Sequence, residues 1–168
     1  MAKAKPKKKG SGAKAAGGVL VLMLVAHGMT HPHGHGIVAS LDSIGGAGQY
    51  TPTSWARTLL RADGLPRTPC NVGAITAWEA AEGGHWHNSA RYNPLDTTQQ
   101  EPGSAPMNSV GVQAYTSWQE GLQATVTTLN NGNYGAIISA LQNGTSAGQV
   151  AGAVASSPWG TGGFQANC

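Results

Sequence analysis

The sequence predicts a mainly α fold, with about five helices around one loop-rich lobe, preceded by a basic and apolar N-terminal arm. Three observations carry that expectation. Apolar residues recur at helical spacing in separate stretches after residue 50. Ser, Thr, Gly and Pro stand at the ends of those stretches, where helices start and stop. Between residues 85 and 116 the period disappears, and Pro94, Pro102 and Pro106 interrupt the chain.

The elements follow in order. Thr51-Pro52-Thr53 opens the first helix, with Thr53 as the expected cap and Pro52 stiffening the entry. Trp55, Leu59 and Leu60 then fall on one face, and Gly64-Leu65-Pro66 ends it. A second helix is expected over residues 71–82, with Val72, Ile75 and Trp78 on its stripe and Gly83-Gly84 as its stop. Short strands are expected near residues 110–115, inside the irregular lobe. Ser117 with Glu120 has the spacing of a capping box, and Leu122, Val126 and Leu129 continue the helix to Asn130-Asn131-Gly132. Residues 134–141 give a short helix stopped by Gly144. Ser146 with Gln149 starts the last one, which Pro158-Trp159-Gly160 ends. A long structureless excursion inside a small domain is usually functional.

With 168 residues the chain suits one domain, expected over residues 50–168. Charged residues are only 10% of it, against about 25% in a typical globular protein. The net charge of +3 belongs to a tail: Lys3, Lys5, Lys7, Lys8, Lys9 and Lys14 are six of the ten basic residues. From residue 15 onward four arginines face seven acids, a net charge of −3. That excludes a basic nucleic-acid-binding face on the body. No run reaches the ~18 apolar residues of a confident membrane span.

Residues 1–49 form a basic tail, a short apolar segment over residues 19–26 and a Gly/His-rich linker. A basic segment before an apolar run is the pattern of a secretory signal. It equally suits a docking arm, and a short membrane contact through residues 19–26 is the third reading. His27, His31, His33 and His35 offer imidazoles, but Gly and Pro leave them unorganised and no Cys or Asp completes a set, so a polar linker is expected. No metal and no cofactor is expected anywhere in the chain. Cys70 and Cys168 are the two cysteines. In an exported chain a bridge between them ties the C-terminus to the core; in a reducing compartment they are two free thiols.

The informative anomaly is acid on an apolar stripe. With Ile75 at zero and about 100° per residue, Val72 lies near 60°, Trp78 near −60°, Glu79 near 40° and Glu82 near −20°. A carboxylate there is either buried with a partner or faces a cleft. Desolvation raises its pKa, and the negative end of the helix dipole acts in the same sense on Glu82. A carboxyl kept protonated near neutrality is what a general acid acting on a glycosidic oxygen needs. The alternative is a structural Glu that holds the loop lobe by hydrogen bonds.

Three short segments then add a resemblance. Ala81-Glu82-Gly83-Gly84, Tyr92-Asn93-Pro94-Leu95-Asp96-Thr97-Thr98 and Asn108-Ser109-Val110-Gly111-Val112-Gln113-Ala114-Tyr115 occur in this order. Gly132-Asn133-Tyr134 and Ser157-Pro158-Trp159-Gly160-Thr161-Gly162 follow. As a set they resemble the lysozyme-like superfamily, and more narrowly the lytic-transglycosylase type found in actinobacteria and their phages. The resemblance spans about residues 50–168 and leaves residues 1–49 uncovered.

That resemblance implies a lysozyme-like fold with a saccharide cleft, acting on the MurNAc–GlcNAc β-1,4 bond of peptidoglycan. Glu82 matches the catalytic acid. In a transglycosylase it then accepts the proton of the sugar's own 6-hydroxyl; in a hydrolase, water or a second carboxylate takes part. Asp96, where the pattern leads one to expect Asn, and Glu79 are the candidates for that second carboxylate. Asp96 alternatively caps the turn through Thr98. Asn93, Gln113, Tyr115 and Thr97 are the expected substrate-binding residues. Trp86, between His85 and His87, is a candidate sugar-stacking ring, and that His pair lacks a third zinc ligand. The expected partner is the glycan strand, with other phage structural proteins as partners of residues 1–49. The expected location is extracellular or on a virion. The rival reading is a glycan-binding component of a phage tail with little or no turnover.

Overall fold

The computed structural model describes residues 50–83 and 86–168. The tail lysines, the apolar run, the His-rich linker and His85 lie outside the described residues. Five helices and a two-stranded sheet make up the regular structure among them.

Helix α1 spans Pro52–Ala62. Its cap is Thr51, not Thr53: Pro52 takes the first helical position, where its missing N–H costs nothing, so the cap must precede it. Thr51 accepts from Ser54 N, and Ser54 Oγ in return accepts from Thr51 N at 2.9 Å. The helix buries Trp55, Ala56, Leu59 and Leu60.

Helix α2 spans Pro69–Gly83 and starts two residues before the expected 71. Thr68 explains the earlier start, because its hydroxyl accepts from Asn71 N and donates to Gly144 O. Asn71 is fully buried and its amide donates to both Pro66 O and Leu141 O at 2.7 Å. One side chain thus ties α2 to a distant helix. Pairing the buried Nδ2 avoids a desolvation cost of about 1–3 kcal/mol, while the Oδ1 is buried without a partner.

The lobe after α2 carries strands β1, Ala105–Pro106, and β2, Gln113–Ala114, paired antiparallel with Ala105 opposite Ala114. Helix α3 spans Trp118–Leu129 behind its cap Ser117. Glu120 does not complete the expected capping box: its carboxylate accepts from Thr116 N at 2.6 Å, one residue earlier, and from the Thr116 hydroxyl. Gly121 lets α3 meet the lobe, since a Cβ there would stand 1.8 Å from Tyr92 O.

Helices α4, Gly135–Asn143, and α5, Ala147–Ala155, complete the bundle. Ser146 caps α5 by accepting from Gln149 N. This last helix ends at Ala155, before Pro158, because Ser156 and Ser157 already turn back onto Gly152 and Val154. The core joins Trp55, Leu59, Leu60, Ile75, Trp78, Leu122, Ile137 and Val150 from all five helices.

The C-terminal tail crosses α2. A Cβ at Gly73 would lie 2.0 Å from Asn167 O, so only glycine admits the tail at that point. The Cys70–Cys168 disulfide then fastens its end, closing a loop with a sequence separation of 98. In the chain-entropy account such a loop stabilises by about 4–5 kcal/mol. Reduction with dithiothreitol is therefore expected to lower Tm markedly, as calorimetry would show, and Cys70→Ser with Cys168→Ser to reproduce the drop without reductant.

Candidate functional site

The last turn of α2 carries Glu82 out of the core. Four residues earlier on the same face, Trp78 is fully buried and its Nε1 donates to Glu82 Oε1 at 3.3 Å. The C-terminal tail closes the other side. Trp159 packs edge-on against Trp78 with centroids 4.7 Å apart, and against Tyr134 at 5.2 Å. Its Nε1 donates to Leu95 O, which fixes the ring. The Thr161 hydroxyl donates to Glu82 Oε1. Glu82 therefore sits between an indole wall and a tail held by a disulfide.

Beside it opens a cleft of about 360 Å³, lined among others by Asp96, Thr97, Thr98, Val112, Tyr134 and Trp159. Val110 forms an exposed apolar rim. Burial pushes the Glu82 carboxyl up from 4.5 to about 7; the Trp78 hydrogen bond opposes this, the Asp96 charge adds to it, and a Trp159 hydrogen bond opposes it. The group is thus poised between its two protonation states near neutrality.

Asp96 has a positive φ of 51°, a conformation Asp tolerates better than most side chains. Its Oδ1 accepts from Asn88 Nδ2 at 2.7 Å, so the carboxylate ties back to the preceding loop rather than capping the turn at Thr98. Burial raises its pKa and the Asn88 bond lowers it.

Glu79 does not join this cleft. It is only 1% exposed and lines a separate cavity of about 340 Å³ with Thr76, Ala80 and Trp86. Its Oε2 accepts from Trp86 Nε1 at 2.8 Å, and its Oε1 is buried with no partner. Burial drives its pKa to about 9, against the smaller opposing effect of the Trp86 bond. Glu79 is therefore neutral at pH 7 and adds no like charge to Glu82. The expectation of Glu79 as a second carboxylate is corrected: the loop folds Trp86 back over it and removes it from the cleft.

Three expected cleft residues prove to be internal. Asn93 is 1% exposed; its Nδ2 donates to Thr97 O and Gln113 O, and its Oδ1 accepts from Thr97 N. Gln113 Oε1 accepts from Ser104 Oγ and its Nε2 donates to Gly111 O. Tyr115 is buried and its hydroxyl donates to Gln99 O at 2.6 Å, with burial raising its pKa. Their polar groups serve the backbone of the lobe, because a chain with so little regular structure must satisfy its buried amides by side chains. Thr97 borders the cleft, yet its hydroxyl is shared with that of Thr128 at 2.6 Å. Trp86 is half-buried and stacks at 4.8 Å on Trp118. Glu82, Asp96 and Thr97 thus come together, whereas Asn93, Gln113 and Tyr115 support them from behind.

Sequence reasoning missed Trp78, Trp159 and Thr161 as neighbours of Glu82. Trp78 was readable four residues before it; the other two lie in the closing segment, with no local signal of where that segment returns. No protein family, curated protein or solved structure matches this chain.

The Glu79 environment has a pH consequence. Its proton is retained in the folded state up to about pH 9 but lost from the unfolded chain above about 4.5. Unfolding releases a proton in that window, so the stability contributed is complete below pH 4.5 and is lost as pH rises towards 9. The slope approaches about 1.4 kcal/mol per pH unit for one proton. Glu79→Gln keeps the shape and an acceptor for Trp86 while removing the titration. Urea unfolding from pH 5 to 9 is expected to show a shallower decline in this variant than in the parent.

Proposed function

We propose that this protein cleaves the MurNAc–GlcNAc β-1,4 bond of bacterial peptidoglycan, with Glu82 as the general acid. The observation that supports this most is the half-buried carboxyl of Glu82, which lines a cleft and is pushed up to a pKa of about 7. The resemblance of residues 50–168 to lysozyme-like transglycosylases supports the same reading.

In this mechanism protonated Glu82 gives its proton to the glycosidic oxygen as the C1–O bond breaks. Charge then develops on the C1 side of the sugar, and the carboxylate left on Glu82 stands beside it. That carboxylate next accepts a proton from the MurNAc 6-hydroxyl, whose oxygen bonds to C1 and closes an anhydro ring. Glu82 ends as it began, protonated. Its indole neighbours suit both halves of the cycle. They exclude water, which favours the neutral acid, while Trp78 Nε1 donates a hydrogen bond that steadies the anion. The transglycosylase form is favoured over a two-acid hydrolase because the Asp96 carboxylate is engaged by Asn88. Since wall glycan lies outside the cytoplasm, the protein acts after export or from a virion.

Turnover on purified peptidoglycan tests the assignment. Glu82→Gln is expected to lose at least about 100-fold in kcat, the lower end for a general acid. An equally fast Gln variant refutes the role of Glu82. Mass spectrometry is expected to find anhydro ends rather than reducing ends.

The active form is protonated, so kcat/KM is expected to fall as pH rises through about 7. Asp96→Asn removes the neighbouring negative charge, so its alkaline limb should move to lower pH while turnover persists. Loss of most turnover in Asp96→Asn instead assigns that side chain as the second carboxylate of a hydrolase.

A further inference from the structure

A second groove includes Asn88, whose Nδ2 donates to Asp96 of the Glu82 cleft. It has a volume of about 360 Å³ and is lined by Tyr50, Trp86, Tyr92, Trp118, Asn88 and Arg91, among others. Four of these are aromatic, and all four are half-buried, so each keeps part of its ring at the surface. Trp118 holds the cluster together. Tyr50 stands 5.5 Å from it, Trp86 4.8 Å and Tyr92 5.2 Å.

Two of the four are constrained by their surroundings. Trp86 is held by its Nε1 bond to buried, neutral Glu79. Trp86 and Tyr92 both have positive φ, 68° and 58°, where bulky side chains are rare. Residues held in such conformations cluster at ligand clamps. The backbone of Tyr92 is also pressed against Gly121 of α3. A pre-assembled aromatic wall is what a sugar face or a flat peptide group stacks on at low entropic cost.

Charge selects between these ligands. Arg91 is exposed and lines the groove, and none of the described lining residues is acidic. Neither the Glu79 cavity nor the Glu82 cleft has a basic residue in its described lining. A guanidinium offers a planar fork that matches a carboxylate. In stem-bearing wall glycan the lactyl carboxyl of MurNAc is taken up in the amide to the stem, so the free carboxylates belong to the peptide.

We propose that this groove binds the carboxylate-bearing peptide stem of peptidoglycan, with Arg91 on the carboxylate and the Trp86–Trp118 pair under the adjoining sugar or peptide plane. The inference rests on the peptidoglycan reading of the Glu82 cleft and adds a preference for stem-bearing muramyl sugars over neutral chito-oligosaccharides. Asn88 links the two sites, since it lines the groove and donates to Asp96 in the cleft.

Tryptophan fluorescence titrations of the full chain test it with two probes. Muramyl dipeptide carries one sugar, a stem and a carboxylate; triacetylchitotriose is neutral and has no stem. Neither contains the bond that Glu82 is proposed to break, so binding is read apart from turnover. The parent is expected to bind muramyl dipeptide more tightly. Arg91→Gln, an exposed substitution, should weaken muramyl dipeptide by about tenfold and leave chitotriose unchanged. Trp118→Ala should weaken both; circular dichroism confirms that it is folded. Equal affinity for the probes, a preference that survives Arg91→Gln, or no saturable binding overturns the proposal. A parent that cleaves peptidoglycan without the Arg91-dependent preference refutes the groove alone. One that shows the preference but no cleavage refutes the enzyme reading alone.

Discussion

The site depends on one constraint: the end of α2 is kept dry by a segment that arrives from the far end of the chain. Glu82 meets Thr161 there, beside the Trp78–Trp159 indole pair. Trp159 and Thr161 are held there by three independent attachments. The Trp159 indole is bonded to Leu95 O, the tail is seated against Gly73, and the terminal cysteine is bridged to Cys70 at the opposite end of the same helix. The disulfide therefore does more than restrict the unfolded chain. It fastens the segment whose burial of Glu82 makes the carboxyl an acid at neutral pH.

Two carboxyls on one helix, three residues apart, acquire different chemistry from their surroundings alone. Glu79 is covered by Trp86 and is so thoroughly desolvated that it is neutral across the physiological range. It keeps its proton at pH 7. Glu82 is half-covered and receives hydrogen bonds, so both protonation states are accessible to it. A general acid must give up its proton and regain it, which suits the less buried of the two. Glu79 instead fixes Trp86, and its buried, unpartnered Oε1 is the cost of that arrangement.

What the sequence made legible was local. The caps Ser117 and Ser146, the stop at Gly144 and the apolar stripe of α2 depend on neighbours within one turn, and each appears where spacing puts it. The first cap was misplaced only because Pro52 at the first helical position pushes it back to Thr51. Glu82 was legible because an acid on an apolar stripe needs an explanation. The Trp159–Thr161 wall was not, because Thr161 contacts Glu82 across a sequence separation of 79. Asn93, Gln113 and Tyr115 show a different limit. Amides and phenols that suit a sugar suit a bare backbone equally well, and residue type alone does not say which one they meet.

That internal use of Asn93 explains how a lobe with only four strand residues keeps a defined cleft wall. Asn93 takes Thr97 N and gives to Thr97 O and Gln113 O, so one side chain closes the turn and fastens it to β2. Asp96 lies inside that turn, and its backbone N donates to Asn93 O. The turn thus aims the Asp96 carboxylate at Asn88 and places its charge where it acts on Glu82. Truncating Asn93 would leave Thr97 N and Gln113 O without their partner in a buried region, while Thr97 O keeps its bond from Gln113 N. The amide is a positioning residue for the cleft: it touches no sugar in the proposed mechanism, yet it sets the distance over which one acid raises the pKa of the other.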